Sequence, residues 1–481
     1  MSLIPKNPGG TPAEQYLAQL GERSFLTLWS YASPFRDQSA SAKISEGKEL
    51  CDMLVVFDEH VIIFSSKHCE YPTTDDPVLN WTRWYKRAVA AGADQLYGAE
   101  RWLKQYPDRV YLDKECQHPF PVPLPMAADM KVHRIVVAHG ASAPCQAEYG
   151  GTGSLMIDNQ VVGAAHYDTH RFKPEPFTLG LVDPLKEYVH VFDDASLAAV
   201  MRMLDTISDF VAYLEKKEAL LSKRGLKVWS AGEDDLLAYY LRNTNHDENS
   251  PTFGRHIFPV SPGYEGLHIE EGFWDGFIHS EQFRARIAAD QVSYVWDSLI
   301  KYIYENTGED KAYPMANSSS FADREAALRI MAREPRLSRR MLARAFREMI
   351  AQSEPDQYRV RHTGALEDSG VQYIFLLLPR RNDQTKAEYR AERFEMLQAY
   401  GLAVKFRNFG NTKKFVGIAT EAGGFDALES YDLMYLEGNV WDHQERALAE
   451  QANLLFFRNA VASTAHEDEY PETDENEQAK A

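Results

Sequence analysis

The sequence predicts an α/β protein, made of an N-terminal α/β unit, a helical region and a smaller C-terminal α/β domain. Three observations carry this. Two apolar runs, residues 49–57 and 61–67, flank the polar break Asp58-Glu59-His60 and read as a hairpin of buried strands. Apolar residues at helical spacing lie on both sides of that hairpin, in residues 11–29 and 78–105. The C-terminal half repeats the alternation, with the apolar run 372–378 followed by a helical pattern over 386–400.

The first helix opens on Thr11-Pro12-Ala13-Glu14, a capping box with Pro at the first helical position. Leu17, Leu20, Ser24 and Leu28 form its inner stripe, with Glu22 to one side near Phe25 and Trp29. In the hairpin the ionisable groups Glu49, Asp52 and Lys67 lie away from the turn. A buried strand pair ordinarily avoids charge, because an isolated ion in low dielectric is costly. A two-residue loop at Asp58-Glu59 pairs Phe57 with His60 and sets Asp52 opposite Ser65, so that Asp52, Ser65 and Lys67 share a face. A three-residue loop sets Asp52 opposite Ser66 instead, and the turn carries no Gly or Asn to decide between them. The helix over 78–105 brings Trp84, Ala88, Ala91, Gln95 and Trp102 to one face, with Arg83, Lys86 and Arg87 near its start.

Further strands are expected at 133–139 and 188–192, and a second hairpin at 154–163 around Asp158-Asn159. A helix follows to about residue 222, capped by Asp193 or Asp194. The N-terminal unit is expected to end near Lys227, giving units 1–227 and 228–463 and an acidic disordered tail at 464–481. In the second unit helices are expected at 234–242, 281–304 and 321–352, the last split by Pro335. Gly401 ends the helix over 386–400, and residues 404–406 and 415–419 make a hairpin.

Composition narrows the function. The chain has 481 residues and a net charge of −19, which argues against a protein that coats DNA generically. Seven acids after His466 stand against Lys480 alone, so part of that charge is local. No run approaches the ~18 apolar residues of a membrane span, and the N-terminus lacks a secretory h-region, so a cytoplasmic location is expected. The four cysteines show neither a CxxC pair nor metal spacing.

The hairpin pattern resembles the restriction-endonuclease-like PD-(D/E)XK nucleases, in particular their divergent NERD and Mrr types. That family's αβββαβ core runs helix, strand, strand, strand, helix, strand. An acid on its first helix, an Asp on one strand and an acid-x-Lys on the next hold Mg²⁺ and the attacking water. The matching positions are Glu22, Asp52 and Ser65-Ser66-Lys67, with a serine where the last motif has its acid. The resemblance implies Asp52 as a direct ligand of Mg²⁺ (or Mn²⁺), Glu22 or Glu49 as a second carboxylate, and Ser65 holding a metal-bound water. It further implies that Lys67 orients the nucleophile and stabilises the phosphorane, with Gln95 positioning the nucleophile or Lys67. The implied function is a metal-dependent nuclease acting on nucleic acid, DNA first, in restriction or defence. The alternatives are a catalytically silent nuclease-like scaffold that binds nucleic acid or a partner protein, and an interaction protein built around its C-terminal domain.

Other patterns are weaker. His166 and His170 have the i,i+4 spacing of a helical metal site, but Gly163, Pro174 and Pro176 argue against a helix there. Residues 150–154 are glycine-rich without the Gly-Lys-Ser/Thr of a P-loop. No G-x-S-x-G elbow is present, so hydrolysis by a protein nucleophile gains no support. Arg329, Arg333, Arg336, Arg340, Arg344 and Arg347 recur at helical spacing. They offer either a nucleic-acid face or a face paired with Glu325, Glu334, Glu348 or the acidic tail.

Overall fold

The computed structural model describes residues 6–37, 47–245, 254–261, 263–306, 312–313, 321–365, 370–408, 410, 412–438, 441, 443–458, 461–462 and 468–471. These form an α/β protein of two units, Ile4–Ser280 and Glu281–Ala481. Lys227, where the sequence placed the boundary, instead opens a strand inside the first unit. That strand pairs with residues on both sides, so the chain has no linker there.

The first unit begins with α1 (Pro12–Trp29), whose Thr11 and Glu14 form the expected capping box. Leu26, at φ +61°, kinks the helix near its end, and the extended C-cap Ser30 leads into β1 (Ser30–Ala32). A five-stranded sheet follows in the order β1, β4 (Met53–Phe57), β5 (His60–His68), β7 (Lys131–His139), β10 (Val189–Phe192). β4 is antiparallel to both neighbours, while β5, β7 and β10 run parallel. The short strands β2 (Phe35–Asp37), β3 (Gly47–Glu49) and β6 (Val110–Tyr111) make a separate small sheet. Between β5 and β6 runs a continuous helical segment of α2 (Pro77–Tyr85), a π turn at Lys86–Ala90 and α3 (Ala91–Gln105). Such π turns concentrate near functional sites.

After α4 (Ser142–Tyr149), a four-stranded sheet joins β12 (Gly266–Ile269), β11 (Lys227–Ser230), β8 (Met156–Val162) and β9 (Thr178–Leu181). The hairpin expected around Asp158-Asn159 is therefore a single strand. Asn159, read as a turn residue, donates its side-chain amide to Leu221 O and Leu226 O and accepts from Val228 N, tying the connection that precedes β11 to the sheet. The long helix expected after Asp194 is two, α5 (Ser196–Met203) and α6 (Ile207–Leu221), because Thr206 caps a new start through Asp209 N. Neither Asp193 nor Asp194 is the N-cap of α5, which is Ala195, but Asp193 Oδ1 two residues earlier accepts from Ala195 N and Ser196 N. α7 (Glu233–Leu241) and α8 (Phe273–Ile278) complete this unit.

The second unit holds α9 (Glu281–Asp290), α10 (Tyr294–Glu305), β13 (Ala312–Tyr313), α11 (Phe321–Arg333), α12 (Arg336–Ala351), β14 (Arg359–Gly364), β15 (Val371–Leu378), α13 (Lys386–Arg407), β16 (Lys414–Glu421), β17 (Tyr431–Glu437) and α14 (His443–Phe456). Its strands lie in the order β13-β17-β16-β15-β14. Gly401 does not end its helix: α13 runs six residues further, and the 404–406 strand is helical. The glycine is there for packing, since a Cβ on Gly401 would stand 2.6 Å from Met434 Cε. Part of the arginine stripe of α11 and α12 is consumed inside the fold, where Arg336 and Arg340 are buried, while Arg344 and Arg347 are exposed. Arg336 and Arg339 share Asp297 at 2.8 and 2.6 Å, and Arg340 reaches Asp290 at 3.3 Å. Part of the tail expected to be disordered is ordered here: Glu469 pairs with Arg286 at 3.0 Å, and Asp468 O accepts from Arg340.

Candidate active site

The β4–β5 hairpin decides which side chains meet. Phe57 pairs with His60 and Met53 with Phe64, the register of the two-residue loop. Asp58, at φ +54°, takes the left-handed conformation that lets the turn close. The backbone of Asp52 continues the ladder through its N–H to Phe64 O at 3.0 Å, which sets it opposite Ser65. Asp52, Ser65 and Lys67 therefore share a face of the sheet.

α3 covers that face. A Cβ on Gly92 would lie 3.0 Å from both Val136 methyl carbons and 3.5 Å from Lys67 Cγ, so this glycine lets the helix come close. Gln95 follows one turn later. Its Oε1 accepts from Ser65 Oγ at 3.0 Å and from Lys67 Nζ. Sequence spacing had singled out Gln95, and the structure gives it this bridging position. Ser65 is fully buried with its hydroxyl committed to Gln95, so it is poorly placed to hold a solvent-borne ligand.

Asp52 is buried, and its Oδ2 accepts the Ser66 N–H at 2.5 Å. Burial pushes its pKa up to about 6, against the hydrogen bond from Ser66 and the charge of Lys67, with Glu49 and Glu14 adding repulsion. Glu49, at the end of β3, is also raised, first by loss of hydration and then by the charge of Glu14. Glu14, whose Oε2 accepts from Gly10 N and Thr11 N in the capping box, adds only its charge at a distance. Glu22 does not join the cluster. Its neighbour Gly21 packs on Met53, and Glu22 itself faces outward, exposed, 4.0 Å from Lys6.

A cleft of about 440 Å³ adjoins the cluster, lined by Arg36, Lys48, Glu49, Asp94 and Gln95 among others. Arg36 and Lys48 are direct cross-strand partners, and like charges so placed repel. The Arg36 guanidinium lies 5.3 Å from the Trp102 ring, and burial lowers its pKa. Its Nε finds no hydrogen-bond partner among the described residues. Sequence reasoning missed both cations; the only signal was their alternation in two short strands flanking a polar segment.

On the opposite face, at the far ends of the parallel strands, Ser66 Oγ lies 3.1 Å from His139 Nε2, and His139 Nδ1 lies 2.5 Å from Asp194 Oδ1. Burial works against the Asp194 carboxylate, but hydrogen bonds from His139 and from Gly140 N hold its pKa below the usual range. The order hydroxyl, imidazole, carboxylate is that of an acyl-transfer triad. Ser66 N–H, however, is already given to Asp52 and is not free to stabilise an oxyanion. The chain fastens three strand ends together and leaves nucleophilic hydrolysis unsupported.

His166 is buried, with Nδ1 2.8 Å from Gly163 O and Nε2 accepting from Gly180 N at 2.9 Å. Both ring nitrogens are spent on backbone, and the His166/His170 pair makes no metal site. The glycine-rich loop is held by Thr152 Oγ1 donating to Asp234 at 2.7 Å. No described helix is long and apolar enough to cross a membrane. Compared with known proteins, the chain matches no family model, no curated protein and no solved structure.

Proposed function

We propose that the N-terminal unit is a metal-dependent nuclease, hydrolysing phosphodiesters of nucleic acid with DNA as the expected substrate. The observation that carries this is the meeting of Asp52 and Lys67 on one face, with Gln95 clamped to the lysine. The order α1, β1, β4, β5, α2–α3, β7 also follows the helix, three strands, helix, strand order implied by the resemblance. β2 and β3 are inserted within it.

The donor set suits a hard dication. Asp52 and Glu49 are carboxylates whose charged forms are disfavoured chiefly by burial, a cost that a bound cation would relieve. These two residues would hold Mg²⁺ or Mn²⁺, which when bound supplies an acidified water and offsets charge on phosphate. The chain's own groups do the rest. Lys67 brings a fixed ammonium to stabilise the charge that builds as water adds to phosphorus and the ester P–O bond breaks. Gln95 holds that ammonium in place. Arg36 and Lys48 supply cationic donors where the adjoining phosphates of a strand would pass, and an anion there relieves their mutual repulsion.

One observation favours a second reading, a silent scaffold that binds nucleic acid or a protein: Ser65 stands buried where the family's acid belongs. Incubating the protein with plasmid DNA in Mg²⁺ and in Mn²⁺, beside Asp52→Ala and Lys67→Ala, separates the two. Cutting by the parent alone supports the nuclease. Binding without cutting supports the scaffold, and equal cutting by all three marks a contaminant and ends the enzymatic reading.

A further inference from the structure

The other face of the same sheet carries a row of imidazoles. His60 opens β5 and His133 lies near the start of β7. The register pairs Ile62 with His133, so both histidines share the face that α6 covers. His60 Nδ1 stands 3.0 Å from His133 Nε2, and the rings stack at 5.2 Å. Glu215, from α6, brings a carboxylate oxygen to the same place, and the three ligand atoms lie within 4.8 Å of one another. His60 is seven residues before Lys67, roughly 23 Å along the strand and on the opposite face. This cluster is therefore distinct from the Asp52 site.

We propose that His60, His133 and Glu215 form a transition-metal site that takes Zn²⁺, with the fourth position open to water or a small ligand. Two imidazoles and one carboxylate are the donor set of many zinc centres that keep an exchangeable position. A tetrahedral ion with bonds of about 2.0–2.1 Å sets its ligand atoms roughly 3.4 Å apart. The observed spacing needs little movement to reach that. Glu59 lies 3.8 Å from His60 Nε2, the nitrogen facing away from the cluster.

A second, independent observation points the same way. His190, on β10, pairs in register with Ile135 and so stands on this face beside His133. It is fully buried, and neither ring nitrogen has a hydrogen-bond partner among the described residues. Buried polar groups are nearly always satisfied. An orphaned imidazole next to two others is explained if the row has been kept for a ligand rather than for stability.

The test uses tag-free full-length protein, stripped with chelator, loaded with Zn²⁺ and dialysed against metal-free buffer, with zinc measured by mass spectrometry. Co²⁺ loading gives a second readout through the visible bands of tetrahedral cobalt. His60→Asn and Glu215→Gln are the informative variants, since neither residue is fully buried and both should fold. Parent and Asp52→Ala are expected to retain one zinc per chain. In His60→Asn and Glu215→Gln the affinity should fall by more than about 100-fold, beyond the usual loss for an outer-shell change. Absence of stoichiometric zinc in the parent would overturn the proposal, as would equal retention by both ligand variants. Loss of zinc in Asp52→Ala would place the ion at the other site.

Discussion

Asp52→Asn should stabilise the protein while removing the proposed nuclease activity. Burial raises the Asp52 pKa from 3.8 to about 6. The folded chain thus holds this proton more tightly than the unfolded chain, and the stability that follows is complete below pH 3.8 and lost as pH rises through 6. At about 1.4 kcal/mol per pKa unit, the ionised carboxylate costs about 3 kcal/mol at pH 8. Asparagine removes that term and keeps an oxygen to accept the Ser66 N–H. The adjacent Cys51 thiol is fully buried and free, and so reports opening of this hairpin. Its labelling by a pyridyl disulfide, followed by mass spectrometry, should be about 100-fold slower in Asp52→Asn at pH 8. At pH 5 the gap should narrow to about 1.5 kcal/mol, or about 10-fold. Mg²⁺ or Mn²⁺ should slow labelling in the parent and leave the variant unchanged, because an ion bound only to the folded site stabilises it. Equal rates at pH 8, or a ratio that does not change between pH 8 and pH 5, would refute the reasoning.

Three further outcomes follow from packing and charge. Gly92→Ala sets a methyl 3.0 Å from both Val136 methyl carbons. It should cost about 1–3 kcal/mol in thermal unfolding despite its better helix propensity, and should lower cleavage by moving Gln95 off Lys67. Lys217→Met strands the fully buried Glu233, whose other partner is Tyr213 Oη at 2.7 Å. The loss should be about 3–5 kcal/mol at pH 7 and should shrink as pH falls and Glu233 takes a proton. Tyr470→Ala removes the ring 5.8 Å from the Arg286 guanidinium and should destabilise the second unit by about 1 kcal/mol in denaturant unfolding. A solvated tail would show no effect.

The sequence made the hairpin legible because period-two alternation and a polar break leave only two registers, and the buried face selects one of them. Gln95 was legible as a polar residue on an apolar helical face. What failed shares a physical cause: residues with strong local habits serving tertiary contacts. Asn159 has a turn propensity but uses its amide to pin a distant connection. Gly401 has the character of a helix terminator, yet it sits mid-helix to admit Met434. Glu22 has the spacing of a helix acid beside the hairpin, but its neighbour Gly21 packs on Met53 and Glu22 itself is exposed beside Lys6. Arg36 and Lys48 lie on three-residue strands, too short for periodicity to reveal. The tail's acids read as solvated, but buried arginines in the second unit needed partners.

The most direct measurement is single-turnover cleavage of a labelled duplex in Mn²⁺ by the parent, Asp52→Ala, Lys67→Ala and the double variant. Groups that act together on one phosphate give losses that do not multiply, so the double variant should be no slower than the slower single. Losses that multiply, or a parent rate no greater than that of the double variant, would contradict a shared site.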